Sequence, residues 1–309
     1  MEYADIIAAA FTPSSDGAVS PPTISASRSR RFRDAIEPLA MHAVWSRTTT
    51  EALGALGLNF FTGYLWGRAA ALGEPDPGVV VSSFAVFEPT MLTDAYLLGR
   101  ASCSRDSLLH ARTEATVRSL SETLSVPLDD AASLHLAEVL QQAVTAAPAV
   151  GRPLFSGLLT QPWPDSTLGR IWHACELARE HRGDSHVVIC VERGLDPVEM
   201  NILTELWVGY PLGAYTASRG WSPAVVGEAT SRLVGRGLLA RNSSGDIELS
   251  SAGQTFRNEI ERATDRLGQP IIDALGDDAD QLIEQLATWS QSCIDAGAFP
   301  PNVFKRAAG

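Results

Sequence analysis

The chain has 309 residues, of which 45% are hydrophobic, and this is enough to bury one large core or two ordinary ones. Its formal net charge is −12, so the whole molecule repels polyanions and any binding of nucleic acid needs a local basic patch. The longest apolar runs, such as residues 187–190, are far shorter than the roughly 20 residues of a membrane-spanning helix. Composition therefore excludes a fibrous or membrane-spanning class and predicts about two globular domains.

The N-terminal segment 1–27 is rich in Ser, Pro, Gly and Thr, a composition that predicts a flexible tail. It begins with Glu2 and Asp5, where a secretory signal would carry Lys or Arg, and this favours a cytoplasmic protein. Residues 28–33 then form a basic cluster that either contacts phosphate or begins a solvated helix. The solvated helix is the favoured interpretation.

Apolar residues recur every three or four positions in the segment 34–72, and this period predicts two or three helices. Residues 74–78 interrupt the pattern, and residues 79–86 have a strand-like composition that helical packing could override. Further helices are predicted from Glu88-Pro89 through Leu98, from Ser104 to about Leu124, and from Asp129 to Ala147. Residues 28–150 are therefore predicted to form an N-terminal helical domain.

A proline-rich stretch at 148–164 separates the halves of the sequence, so residues 151–309 are predicted to form a second domain. A helix is expected at 168–180, and residues 181–186 after it are predicted to form a polar turn. The segments 73–120 and 183–233 show the same order of features, each with an acidic residue and a proline at the start of a helix. This order is consistent either with duplication of one helical unit or with chance agreement.

The second domain contains the pattern of a winged helix-turn-helix. The pattern comprises, in order, a helix that opens at Asp196-Pro197, a short helix at 215–219, a recognition helix from Ser222 to Arg236, strands at 238–241 and 247–249, and a long closing helix toward Ile271. Gly237 ends the recognition helix, and Gly245 lies in the turn between the strands. The predicted fold is mainly α, in two helical halves, the second with a winged helix-turn-helix and a small β-hairpin.

Two resemblances to known families accompany this pattern. The stretch 229–239, followed by 249–253, resembles the MarR-like winged-helix proteins, and this resemblance implies DNA binding. The whole chain also resembles an actinobacterial helix-turn-helix-domain family whose activity is poorly defined, through segments 41–45, 181–186, 204–209 and 296–301. The second resemblance implies a family and no particular reaction.

A DNA-binding unit should offer arginine or small polar side chains to phosphates and base edges. The candidates for DNA contacts are Arg219, Ser222, Ser231, Arg232, Arg236 and Arg241. Residues 195–267 nevertheless hold seven Arg against nine Asp or Glu, whereas a phosphate-binding surface usually has a basic excess. Surface arginines on a unit that has lost DNA binding are therefore an equally open interpretation.

Several aromatic residues lie close to ionisable ones in the sequence, and a small-molecule pocket uses this combination. The ligand-binding candidates are His42, Trp45, Tyr64, Trp66, Arg68, Trp207, Tyr210, Tyr215 and Trp221. Aromatic packing in the core is the favoured explanation for most of them.

Histidines and carboxylates provide the candidates for acid–base chemistry. These are His42, Glu88, His181, Asp184 and His186. His181 and His186 are five residues apart and would not share a helix face, so capping and hydrogen bonding at a turn are favoured over a metal site. The sequence predicts no metal and no cofactor, and it contains no common hydrolase or nucleotide-binding motif.

The sequence therefore predicts a ligand-responsive winged-helix transcription regulator that binds DNA and a small molecule. A homodimer is expected, because two-fold half-sites need two recognition helices. The alternative is a small-molecule-binding protein or an enzyme of unfamiliar type that uses the same scaffold with an aromatic and histidine pocket, and a partner-binding adaptor is the third option. A basic, exposed recognition helix would favour DNA, whereas a cavity lined by Tyr215 and Trp221 would favour the pocket.

Overall fold

The computed structural model describes residues 27–124 and 130–302. Within these ranges the chain is mainly helical and has one two-stranded antiparallel sheet, which confirms the predicted fold class. Residues 1–26 of the predicted tail lie outside the described residues. In the part of the chain that is described, no helix combines the length and the apolar character needed to cross a bilayer.

The first half of the described chain is built from short and medium helices. They are α1 (Arg28–Ala40), α2 (His42–Trp45), α3 (Arg47–Gly54), α4 (Phe60–Ala69), α5 (Pro77–Phe84), α6 (Pro89–Ser102), α7 (Arg105–Leu124) and α8 (Ala131–Thr145). The segment with strand-like composition forms helix α5, because Pro77 occupies its first turn and the side chains of Val80 and Phe84 are buried on one side.

The second half contains the longest helices and the hairpin. Its elements are α9 (Pro153–Leu159), α10 (Thr167–Glu192), α11 (Pro197–Val208), α12 (Ala214–Ala217), α13 (Pro223–Gly235), β1 (Leu239–Arg241), β2 (Ile247–Leu249), α14 (Ser251–Ala274) and α15 (Ala279–Asp295). The strands pair antiparallel, with Leu239 opposite Leu249. From α11 to α14 the elements follow the order that the sequence predicts for a winged helix.

The sequence interpretation is wrong at residues 181–186. They lie inside helix α10, which continues to Glu192, and do not form a polar turn. Their polar groups find partners within the protein: Asp184 accepts a hydrogen bond from the Phe155 N–H (2.9 Å), and Arg152 Nε donates to Ser185 Oγ (2.8 Å). These partners come from helix α9 and the residue before it, so the sequence around residues 181–186 could not predict them.

Helix α10 lies at the centre of the molecule and packs against α1, α7, α8, α9 and α14. The largest apolar cluster joins both sequence halves and includes Leu39, Leu140, Phe155, Leu177 and Leu286. The winged-helix unit has a separate cluster of its own, with residues of α11, α13, β1 and α14. The unit therefore has an apolar cluster of its own, while α14 also contributes Ile271 and Ile272 to the large cluster.

Candidate functional site

The winged-helix unit begins with helix α11, whose N-terminus is fixed by a capping box. Asp196 Oδ1 accepts the N–H groups of Val198 and Glu199, both at 2.9 Å, and Glu199 Oε2 accepts the N–H of Asp196 at 3.2 Å. Such reciprocal bonds satisfy backbone donors that a helix end leaves open. They also hold two carboxylates together at this end of α11.

These two carboxylates pair with the arginines of the predicted recognition helix α13. Arg232 forms ion pairs with Asp196 and with Glu199, the latter at 3.2 Å between Nε and Oε1. Arg236 Nη1 lies 3.2 Å from Glu199 Oε2. The arginine side chains are 48% and 35% exposed, so water reaches them while they point toward α11. Their positive charge is largely compensated within the unit.

The outward face of α13 carries little positive charge. Val226, Ala229 and Leu233 are buried against the unit's core. The exposed positions of the helix are Pro223, Ala224, Gly227, Glu228, Ser231, Arg232, Val234 and Gly235. Apart from Arg232, this face offers small side chains and one acid.

The remaining predicted DNA contacts are distributed over the edges of the unit. Ser222 caps α13 by accepting the Val225 N–H at 3.4 Å. Arg241 is exposed on strand β1 and donates from Nη1 to the Gly245 carbonyl (2.8 Å) in the hairpin turn. Arg219 instead lines a cavity. The structure therefore does not bring the predicted DNA-binding arginines together on one face.

A buried glutamate, which sequence reasoning missed, organises the turn between α11 and α13. Glu205 is fully buried, and its Oε1 accepts the Gly213 N–H (2.6 Å). Its Oε2 accepts the N–H groups of Tyr215 (3.0 Å) and Thr216 (2.9 Å). Burial raises the pKa of Glu205, although these hydrogen bonds act in the opposite direction. The carboxylate thus fixes the short helix α12 relative to α11.

Three hydrogen bonds attach α11 and the loop before α13 to residues 86–88 of the N-terminal half. Trp221 Nε1 and Asn201 Nδ2 both donate to the Val86 carbonyl, at 2.9 and 2.7 Å. The Glu88 N–H donates to the Arg219 carbonyl at 2.9 Å. The loop that leads into α13 is therefore bound directly to the residues that precede α6.

A cavity of about 960 Å³ lies beside this attachment. Its wall includes residues of α1, α4 and α10 and, from the winged-helix unit, residues of the segment 210–219. Five of the predicted ligand-binding residues line it, namely Trp45, Tyr64, Arg68, Tyr210 and Tyr215. The cavity size lies within the range of small-molecule sites.

The other four predicted ligand-binding residues do not line the cavity and make contacts elsewhere in the protein. His42 is fully buried with Nε2 2.8 Å from Ser119 Oγ, and Trp66 packs edge-on against a tyrosine in the N-terminal core. Trp207 Nε1 donates to Asn258 Oδ1 (2.8 Å). Trp221 makes the attachment described above and is not a lining residue.

Carboxylates neutralise several arginines of the cavity wall. Arg68 donates to both oxygens of Glu180 (2.9 and 2.7 Å), and Arg179 donates to Glu37 (3.2 Å) and to Glu180 (3.2 Å). Burial alone would raise the pKa of Glu180, but the two arginines hold it below its usual value. These groups form a network of ion pairs between α1, α4 and α10.

Three further arginines of the wall share two carboxylates of α14. Arg182 lies 2.8 Å from both Glu261 and Asp265, Arg257 lies 2.5 Å from Glu261, and Arg30 pairs with both acids. Burial lowers the pKa of Arg30 to about 9 and those of Arg182 and Arg257 to about 10, and repulsion from neighbouring arginines acts in the same direction. This part of the wall therefore carries an excess of positive charge.

The basic cluster at 28–33 is thus only partly a solvated helix start. Arg28 is about half exposed, as predicted. Arg30 and Arg33 are largely buried and line the cavity, so the prediction is wrong for them. Arg30 pairs with Glu261, which is 231 positions away, and Arg33 pairs with the neighbouring Asp34, so each buried guanidinium has an acid partner.

The predicted catalytic residues do not converge as a set. His181, Asp184 and His186 line the cavity, whereas His42 and Glu88 do not. Burial raises the pKa of Asp184 to about 7, lowers that of His181 to about 4, and lowers that of His186 well below its ordinary value. Among the residues described, no three histidines, cysteines or acids are grouped as metal ligands. The arrangement provides polar contacts for a ligand rather than an evident nucleophile and base.

Acidification is expected to destabilise the fold between about pH 6.5 and pH 4. Burial lowers the pKa of His42, His173 and His181 to about 4 and that of His186 further, whereas unfolded histidine titrates near 6.5. The unfolded chain therefore binds protons first, and stability present above pH 6.5 is lost on the way to pH 4. Asp184, whose folded pKa is raised, contributes in the opposite direction but is outnumbered. Urea unfolding should show a free energy of unfolding at least about 2 kcal/mol lower at pH 5 than at pH 7.5.

Replacement of one buried histidine should reduce this pH dependence. His42→Gln keeps a hydrogen-bonding group near Ser119 and removes one titrating group. The difference in the free energy of unfolding between pH 7.5 and pH 5 should therefore be smaller than in the wild type by about 2 kcal/mol. His110→Gln, at an exposed position of α7, is the matched control and should leave the dependence unchanged. Identical pH dependence in the His42 and His110 variants would contradict the account.

The fold and its winged-helix unit place the protein in the helix-turn-helix class. The chain belongs to the helix-turn-helix family, whose model matches residues 29–300. At a coarse level this membership indicates a DNA-binding regulator. The match extends far beyond the winged helix and covers most of both helical halves. No match is found among the curated proteins or among the solved structures.

Proposed function

We propose that this protein is a ligand-responsive DNA-binding regulator, in which a small molecule occupies the cavity and the winged helix contacts DNA. The observation that carries the proposal is the shared cavity wall, which combines Tyr210, Tyr215 and Arg219 of the winged-helix unit with Tyr64 and Arg68 of α4. A ligand there contacts the winged-helix unit and α4 at once. The ligand therefore favours the position of the winged-helix unit relative to α4 in which its own contacts are strongest.

The DNA contacts are proposed to come from α13 and the wing, in the manner of the MarR-like proteins that residues 229–253 resemble. Arg241 donates to a carbonyl rather than to a carboxylate, so its charge is available to a phosphate. Arg232 and Arg236 would exchange Glu199 for phosphate on binding. Because that exchange has a cost, we expect only modest affinity and a small number of phosphate contacts.

Two copies of the chain are proposed to act together. Operators with two-fold symmetry present two half-sites, and each requires one recognition helix. Light scattering on the DNA-bound protein should then give the mass of the duplex plus twice the chain mass of 33.0 kDa.

A salt titration tests the DNA-binding part of the proposal. The full chain selects duplexes from a random pool, and the affinity for a selected duplex is measured by fluorescence anisotropy from about 50 to 200 mM salt. The slope of log K against log salt should fall by about one for Arg241→Ala and by more for the Arg232→Ala, Arg236→Ala double variant. Each lost phosphate contact removes released counterions, which is the physical reason for the smaller slope.

Arg47→Ala is the matched control, because Arg47 is 91% exposed on α3, away from the winged helix. Its slope and affinity should equal those of the wild type. If the wild type selects no duplex, or binds without dependence on salt, the DNA-binding part fails. If Arg241→Ala behaves like Arg47→Ala, the proposed wing contact fails.

A second candidate function is a small-molecule-binding protein that uses the winged helix only as a scaffold. The ion pairs of Arg232 and Arg236 with the capping box, and the acid Glu228 on the outward face of α13, favour it. If the protein binds a small molecule but shows no salt-dependent binding of DNA, this second function is supported and the first is contradicted.

A further inference from the structure

Arg219 differs from every other arginine of the cavity wall. The wall contains seven arginines: Arg30, Arg33, Arg68, Arg179, Arg182, Arg219 and Arg257. Six of them form ion pairs with an aspartate or a glutamate. For Arg219, no carboxylate partner is found among residues 27–124 and 130–302.

The guanidinium of Arg219 is nevertheless held in a defined position. Its Cζ lies 4.2 Å from the ring centroid of Tyr215 and 5.0 Å from that of Phe87. Nη2 donates to the Tyr215 hydroxyl (2.7 Å), and Nη1 donates to Ser218 Oγ (3.2 Å). The buried Nε has no hydrogen-bond partner among the described residues. A guanidinium carries five N–H donors, so this cation has both charge and donors to offer an anion.

The surroundings of Arg219 are aromatic as well as cationic. Tyr64 and Phe87 lie 6.2 Å apart between ring centroids, and Tyr210 stacks on Tyr215 at 6.1 Å. Burial alone would raise the pKa of Tyr64, but Arg68, Arg219 and Arg179 lower it below the usual value. This end of the cavity therefore has a positive potential and flat apolar walls.

We propose that the cavity binds an aromatic carboxylate, with the carboxylate on Arg219 and the ring among Tyr64, Phe87 and Tyr215. The inference rests on the proposed function, since it names the ligand class of the same cavity. It also explains how a bound ligand affects the DNA-binding unit. Arg219 lies in the loop that leads into α13, and its carbonyl accepts the Glu88 N–H. An anion on this side chain restrains the loop directly.

A matched pair of probes tests the inference: 2-naphthoate and its uncharged amide, 2-naphthamide. Both have the same ring, so the difference in affinity for the full chain, measured by calorimetry without DNA, reports the carboxylate. The naphthoate should bind about tenfold more tightly or better, because charge-assisted hydrogen bonds to a partly buried guanidinium favour it. Arg219→Gln should lower the naphthoate affinity to that of the amide and leave the amide affinity unchanged.

Arg47→Gln on α3 is the control and should retain the wild-type preference. Arg219→Lys keeps the charge and should retain part of the preference, so it provides the test if the Gln variant does not fold. Equal affinity of the wild type for both probes, equal loss of both in Arg219→Gln, or no binding of either at about 1 mM contradicts the inference. Since DNA is absent, such a failure is distinct from a failure of the salt titration.

Discussion

Glu261→Gln is expected to lower the free energy of unfolding by about 3–5 kcal/mol. Glu261 is 5% exposed on α14, and Arg30, Arg182 and Arg257 share its carboxylate. The substitution leaves Arg30 and Arg182 with Asp265 as an acid partner, and it removes the carboxylate with which the buried Arg257 pairs. The mutual repulsion of the three arginines is then only partly offset, which weakens the contact of α1, α10 and α14.

Urea unfolding measures this effect, with Glu259→Gln as the matched control. Glu259 lies two residues earlier on the same helix, is exposed, and pairs with Arg193 at 3.3 Å. Exposed pairs contribute little, so the control should unfold as the wild type does. An equal loss of stability in both variants would contradict the role assigned to the buried network.

Glu205→Ala should have the second largest effect, a loss of at least about 3 kcal/mol. The substitution removes the acceptor of three backbone N–H groups, those of Gly213, Tyr215 and Thr216. A buried donor without an acceptor retains its full desolvation penalty, and three such donors lie in one turn. The damage should concentrate in α12 and in the loop that leads into α13.

Amide hydrogen exchange locates this damage, while urea unfolding measures its size. The amides of residues 213–216 should exchange much faster in the variant than in the wild type. Glu228→Ala, an exposed position on α13, is the control and should change neither measurement. Wild-type exchange at residues 213–216 in Glu205→Ala would show that the carboxylate does not organise the turn.

The winged helix could be predicted because its signals are local. Ser222 and Pro223 mark the start of α13, and Gly237 and Gly245 adopt positive φ angles where the chain turns, at +73° and +89°. Each signal lies within a few residues of the feature that it specifies. The order of elements follows from these signals without knowledge of the rest of the chain.

The buried polar network could not be predicted, because its signals are non-local. Arg30 and Glu261 are separated by 231 positions, and Arg68 and Glu180 by 112. On its own helix each of these residues resembles an ordinary solvated charge. Arg179 and Arg182 are three positions apart and therefore lie on the same side of their helix. A charged side chain by itself, however, favours a position on the surface.

The same reasoning explains which ligand-binding candidates do not line the cavity. Trp66 and His42 are fully buried in the N-terminal half, so an aromatic beside a charged residue in the sequence does not by itself distinguish a cavity wall from a packed core. Tyr64 and Arg68 line the cavity because α4 turns one face toward α10, where Glu180 receives the guanidinium. Long-range packing decides between the two outcomes.

The coupling of the cavity to the winged helix can be measured by amide hydrogen exchange of the full chain with and without saturating 2-naphthoate. The Glu88 amide, which donates to the Arg219 carbonyl, is the most direct reporter. Amide exchange at Glu88 and in residues 215–226 should be slower when the probe is bound. Protection that is confined to α1 and α4 at saturation, with no change at Glu88 or in residues 215–226, would contradict this coupling.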